Sequence, residues 1–266
     1  MFGTDEPAAA ISTLESPEIV PSAPSPVPVT SARATWTLQL IGGWRLGRGS
    51  VEYEVPKRQQ RLIALLAVNG TTQRSTAARL LWPEGSDAQA SNCLRGTICQ
   101  VSRALPGLLI ADAGNIGVAD DVDLDLRAIR GQLDGSANVE GSAAAARIQL
   151  LSRGELLPGW YDDWVLEAQD EWRIMRVDAL QQLASHLLDH GDTHGAVEAA
   201  SSVLGIDPLD EEAQQLVLRA HLAEGNRALA LRGYADFNSR YLSELGLPPS
   251  FSAREIFGRS FEGAQR

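Results

Sequence analysis

SDAQASNCLRGTICQVSRAL, residues 86–105, decides the fold. Leu94, Ile98, Val101 and Leu105 are spaced 4, 3 and 4 apart, which lines one side of a helix running from about Asp87 to Leu105. The opposite side carries Asn92, Arg95, Gly96, Cys99, Gln100 and Arg103. A helix with one apolar stripe and one polar face rich in Arg, Asn and Gln packs on a small core and offers the other face to a partner.

Working outward, two helices are expected before it. PKRQQRLIALLAVN, residues 56–69, begins with a proline suited to a first helical turn and is closed by Gly70. RSTAARLLW, residues 74–82, is stopped by Pro83, with Ser75 as the expected cap. Ahead of them, TWTLQLIGGWRLGRGSVEYEV (35–55) reads as three short strands, Thr37–Ile41, Trp44–Leu46 and Val51–Val55, with glycine turns. After the third helix, Leu108–Ala111 and Ile116–Ala119 read as two strands joined by Asp112–Asn115. Three helices followed by a strand–turn–strand make a winged helix-turn-helix.

Beyond Asp121 the pattern is helical. DVDLDLRAIRGQL (121–133) and SAAAARIQLLSRG (142–154) each read as one helix, LLPGWYDDW (156–164) as an aromatic loop, and 167–191 as a long helix with Trp172, Met175, Leu180, Leu183 and Leu187 inward. Residues 179–212 align with 213–246 at an offset of 34, placing Leu188 on Leu222, Gly191 on Gly225 and Ala196 on Ala230. That period is the helix–turn–helix repeat of tetratricopeptide arrays, whose units bury their apolar faces only by stacking. The expected class is therefore mostly α, an α+β winged helix followed by an all-α helical repeat domain. Boundaries are expected at 1–34 for a Pro-, Ser- and Ala-rich disordered arm, 35–121 for the winged helix, 122–260 for the repeat domain and 261–266 for a tail.

The 266 residues carry a formal charge of −11, but unevenly. Residues 35–106 hold nine basic against four acidic side chains, a balance of +5, which leaves −16 on the remainder. A basic head on an acidic body suits double-stranded DNA at one end only. The single lysine, Lys57, follows Pro56 and not the glycine of a phosphate loop, so no Walker-type site exists. Asp162 and Asp163 have no nucleophile or histidine placed locally with them and read as the start of a helix, so no enzyme is expected. His186, His190 and His194 would suggest a metal on one unbroken helix, but Gly191 and Asp192 mark a turn that breaks the register; neither metal nor cofactor is expected. Cys93 and Cys99 lie on different faces of their helix and are not expected to pair. Trp160, Tyr161, Trp164 and Trp172 read as core under a loop more readily than as a ligand pocket. No apolar run is long enough to span a membrane and no secretion signal opens the chain, so a cytoplasmic protein is expected.

Several segments together resemble one family. LQLIGGWRL (38–46), VPKRQQRLIALLAVNG (55–70), ARLLWP (78–83), residues 86–105 and DVDLDL (121–126) resemble an OmpR-type winged helix and its junction. GELLPGWYDDWVLEAQDEWR (154–173) and LSELGLPPS (242–250) resemble the bacterial transcriptional activator domain. In this order they resemble the short form of the Streptomyces antibiotic regulatory protein (SARP) family. The resemblance implies a transcriptional activator that binds direct repeats as a homodimer and recruits RNA polymerase. Carried onto this chain, Asn92, Arg95, Gln100 and Arg103 are the expected base-reading residues, and Lys57, Arg58, Arg61 and Arg74 the expected phosphate contacts. The wing segment LLIADAGNIGVADD (108–121) departs from the family in having no Lys or Arg. The alternative reading is a protein-interaction adaptor whose winged helix has lost DNA affinity.

Overall fold

In a computed structural model that describes residues 35–133 and 139–258, the first described elements are three short strands paired antiparallel. Strand β1 (Trp36–Gln39) alternates in burial, with Trp36 and Leu38 inward, and pairs with β2 (Arg45–Arg48) so that Leu38 faces Leu46. Strand β3 (Val51–Glu52) extends the other edge of β2. Helix α1 (Lys57–Asn69) follows Pro56 and stops at Gly70, whose φ of +71° a side chain would strain. Leu62 to Val68 are all buried, so this helix is the core of the winged helix and not a surface element.

Strand β4 (Thr72–Gln73) runs straight into α2 (Arg74–Leu81). The expected cap is corrected here: Gln73 holds the N-cap position and Ser75 lies exposed inside the first turn, because the strand end occupies the residue where a cap would fold over. Helix α3 (Asp87–Ala104) starts on a capping box in which Ser86 and Gln89 each bond the other's backbone N–H. Strands β5 (Leu109–Ala111) and β6 (Asn115–Val118) form the wing hairpin, and β6 also pairs with β4.

The segment 121–133 differs from its expectation. Asp123–Leu124 form β7, which adds to β1 in parallel, and only Asp125–Leu133 form helix α4. The reason is its period: Val122, Leu124 and Leu126 are buried in alternation with exposed Asp123 and half-buried Asp125. Asp125 accepts backbone hydrogen bonds from Leu40 (3.0 Å), Ile41 (2.9 Å) and Leu126 (2.7 Å), which ties the start of α4 to the end of β1.

The remaining described elements are helical: α5 (Gly141–Leu151), α6 (Asp163–Asp189), α7 (Thr193–Ile206), α8 (Glu211–Ala223), α9 (Arg227–Leu245) and α10 (Ala253–Phe257). α6 with α7, and α8 with α9, are the two helix–turn–helix units read at an offset of 34, and α7 packs on α8 between them. Gly191 and Gly225 end α6 and α8 at φ +82° and +78°, and Ala196 and Ala230 are both fully buried one turn later. One apolar core runs from Trp36 to Ala220; a second, of Leu218, Ala230, Phe237, Phe251 and Phe257, closes the C-terminal end. No described helix is long and apolar enough to cross a membrane. The arm expected over 1–34 and the tail expected over 261–266 lie outside the described residues.

Candidate nucleic-acid interface

Helix α3 is positioned by its buried stripe. Leu94, Ile98 and Val101, with Leu105 just beyond the helix, pack against the winged-helix core, and the helix touches both α1 and α2. Thr97 is also buried, and its hydroxyl donates to the carbonyl of Cys93 at 2.8 Å, so a polar side chain on the inner side is satisfied. Asn92, Arg95, Gly96, Cys99, Gln100 and Arg103 are all exposed, at helical spacings of 3 and 4 along one face. The guanidinium of Arg95 bonds the Asn92 side-chain oxygen, which holds two base-reading candidates side by side. A side chain at Gly96 would meet nothing, so its absence leaves the middle of this face low and open. Cys93 and Cys99 are both free thiols.

The four phosphate-contact candidates separate into two groups. Arg58 is exposed beside α3: its guanidinium lies over the Trp82 ring at 5.2 Å, and Nη2 is 3.5 Å from the Cys93 carbonyl. Arg74 is half-buried at the foot of the wing, where its backbone N–H donates to the Gly114 carbonyl at 2.9 Å. The wing turn beside it is held by Asp112, which accepts from the backbone N–H of Asn115 (2.5 Å) and Gly114 (2.8 Å); those bonds hold its carboxyl below the usual range.

Lys57 and Arg61 lie elsewhere. They face the aromatic loop that precedes α6. Lys57 Nζ stands 3.2 Å from the Trp160 ring centroid, and burial there lowers its pKa despite the nearby Asp162 carboxylate. Arg61 pairs with Asp162 and donates to the Leu81 carbonyl at 3.1 Å. Asp162 sits at the N-cap position of α6, one residue before the helix starts at Asp163, but its carboxylate makes no cap bond and is taken by Arg61. This docking joins α1 to the helical region, and sequence reasoning missed it: the two residues are 101 positions apart.

The loop that carries Trp160 is rigidly held. Trp172 donates to the Gly154 carbonyl (3.0 Å), Gln169 to those of Leu156 and Leu157 (2.9 and 3.1 Å), and the buried Arg176 to those of Leu151 and Gly154 (2.5 and 2.8 Å). Burial lowers the Arg176 pKa, with Glu155 acting against it. Trp160, Trp164 and Trp172 are buried and Tyr161 is exposed. A cleft of about 540 Å³ lies elsewhere, against β1–β3 and α4, lined in part by Gln39, Arg45, Asp125 and Arg153. His186 and His190 both fall at the end of α6, so the break at Gly191 separates only His194 from them.

The sequence profile of the bacterial transcriptional activator domain matches residues 127–258. In this the chain is similar to regulators of the SARP family. It is 29% identical over 233 residues to the regulatory protein AfsR of Streptomyces coelicolor, covering 81% of this chain and 23% of that protein. It is 28% identical over 247 residues to AfsR of Streptomyces griseus, covering 86% and 25%. The chain thus spans about a quarter of the length of these curated relatives. The structure of Mycobacterium tuberculosis EmbR in complex with a low-affinity phosphopeptide shares the fold, with a TM-score of 0.65 at 17% identity over 86% of this chain and 66% of that one.

Proposed function

We propose that this chain is a sequence-specific DNA-binding transcriptional activator. The observation that carries the reading is the exposed face of α3, four base-reading side chains on a helix whose other side is locked into a winged helix. A helix of this size fits the major groove, where Arg95 and Arg103 suit guanine and Asn92 and Gln100 suit adenine. Arg58 and Arg74 flank that face as phosphate contacts, whereas Lys57 and Arg61 dock the head, residues 35–121, on the body, residues 122–260. The body pairs two copies and contacts RNA polymerase; exposed Leu242, Leu245 and Leu247 offer apolar surface for this. Two heads then occupy direct repeats about one helical turn apart.

The adaptor reading retains one specific support, a wing turn built on Asp112 with no basic side chain. Selection of bound fragments from genomic DNA at two salt concentrations separates the two. An activator enriches a direct repeat, and raising the salt weakens binding because counterions displaced from neutralised phosphates are released into a more concentrated solution, which is less favourable. A folded protein that enriches nothing favours the adaptor reading or a missing ligand or partner.

A further inference from the structure

We propose that Glu140, His186 and His190 form a binding site for a borderline divalent transition-metal cation, Zn²⁺ foremost. One ring nitrogen from each histidine and one carboxylate oxygen of Glu140 lie within 4.8 Å of one another. The arrangement follows from two helix ends. His186 and His190 are one turn apart at the C-terminal end of α6, which puts them on one face with ring centroids 4.1 Å apart. Glu140 comes from a different element, the residue immediately before α5.

Each of the three has an unused ligand atom. His186 Nε2 is buried without a hydrogen-bond partner and faces Glu140 Oε1 at 4.0 Å, too far for a hydrogen bond. Glu140 occupies the N-cap position of α5 but makes no side-chain cap bond, so its carboxylate is not consumed by its own helix. His190 Nδ1 lies 2.8 Å from the His186 carbonyl oxygen. With Nδ1–H donating there, Nε2 keeps its lone pair, and the carbonyl acts as the outer partner that orients a metal-bound imidazole.

The donor set selects the ion. Two imidazoles and one carboxylate suit zinc and its neighbours, whereas calcium and magnesium take oxygen ligands. Tetrahedral bonds of about 2.1 Å set ligand atoms about 3.4 Å apart. The 4.0 Å gap closes by about 0.6 Å, within reach of a rotation of the exposed Glu140 side chain. Water fills the fourth position. Bound metal ties the start of α5 to the end of α6, so it stabilises the folded chain. His194, beyond the turn and exposed on α7, takes no part.

The test uses the full, tag-free, chelator-stripped chain carrying Cys93→Ser and Cys99→Ser, so that thiols bind nothing. Zinc chloride is titrated by calorimetry, with cobalt chloride absorbance as the spectroscopic probe of geometry. One ion per chain is expected, with a zinc-dependent rise in melting midpoint. His190→Ala and Glu140→Gln each weaken binding at least tenfold, and His194→Ala leaves it unchanged; circular dichroism checks the fold of every variant. The proposal is overturned if the folded chain binds no stoichiometric zinc, if both His190→Ala and Glu140→Gln bind as tightly as the parent, or if His194→Ala abolishes binding.

Discussion

Helices α1 and α3 carry the same chemistry on their polar sides and use it differently. On α3, Asn92, Arg95, Gln100 and Arg103 are exposed, and the contact among them, Arg95 to Asn92, stays within the same face. On α1, Lys57 and Arg61 are one helical turn apart, yet the ammonium of the exposed Lys57 lies against the Trp160 ring and Asp162 pairs Arg61. A basic helix face is therefore not a single kind of object. Whether it reads outward depends on whether another part of the chain supplies aromatic faces and carboxylates to cover it. In this protein the helical body engages Lys57 and Arg61 on α1 and leaves Arg58 and the face of α3 open.

The most severe way to break that distinction is to remove the cover. Trp160→Ala deletes a buried ring that stacks on Trp44 at 6.1 Å and carries Lys57 on its face. Truncating a buried Trp costs about 3–5 kcal/mol, so chemical denaturation of this variant is expected to show a large loss of stability. Retained stability would mean that the loop is only loosely applied to α1.

The second test acts on the open face. Each Arg that reads guanine bidentately contributes about 1–3 kcal/mol of discrimination. Arg95→Ala with Arg103→Ala is thus expected to lower affinity for a selected fragment by roughly 30-fold or more, by the lower end of that range. Both side chains are exposed, so the melting midpoint should stay within the small range of surface substitutions. Arg61→Ala should do the opposite, lowering stability while changing fragment affinity little. If Arg61→Ala cost as much affinity as the α3 pair, the two faces would not differ as argued.

The third test isolates the ion pair. Arg61 and Asp162 side chains are 27% and 20% exposed, between a surface pair and a buried one. A double-mutant cycle on Arg61→Ala and Asp162→Ala is expected to give a coupling of about 1 kcal/mol, reduced by added salt. Zero coupling would mean that packing at Trp160, and not the ion pair, fastens this part of α1.

These contrasts also mark what was legible in the sequence. The α3 stripe, the helix of α1 between Pro56 and Gly70, the wing hairpin and the 34-residue repeat all rest on short-range periodicity, which survives in one dimension. The face of α3 follows from that same period, because burial of Leu94, Ile98 and Val101 dictates the exposure of the residues opposite. Strand β7 was equally local, since Asp123 and Asp125 alternate with buried Leu124 and Leu126, but two residues of strand are easily absorbed into the helix that follows. The fastening of Arg61 by Asp162 and the gathering of Glu140 with His186 are different in kind. They join residues 101 and 46 positions apart, and no spacing rule pairs side chains across separate elements. Charge patterning located the basic residues and said nothing about which would find an intramolecular partner.

The smallest effect extends the comparison from basic residues to acidic ones. Glu211 and Glu212 are neighbours at the start of α8. Glu212 is exposed, whereas the Glu211 carboxylate accepts from both the backbone N–H (2.8 Å) and the hydroxyl of Ser250, holding the segment that leads into the buried Phe251. Burial pushes the Glu211 pKa up, but hydrogen bonds from Ser250, Tyr241 and the Phe251 backbone outweigh it, and the net shift is downward. A carboxyl whose folded pKa lies below its unfolded value of about 4.3 contributes stability above that value and loses it as pH falls through the folded pKa. Glu211→Gln is therefore expected to cost about 1 kcal/mol at neutral pH, and the difference between parent and variant should shrink in acid. Glu212→Gln should show neither effect. A pH-independent difference for Glu211→Gln would mean that shape, and not charge, fastens Ser250 to α8.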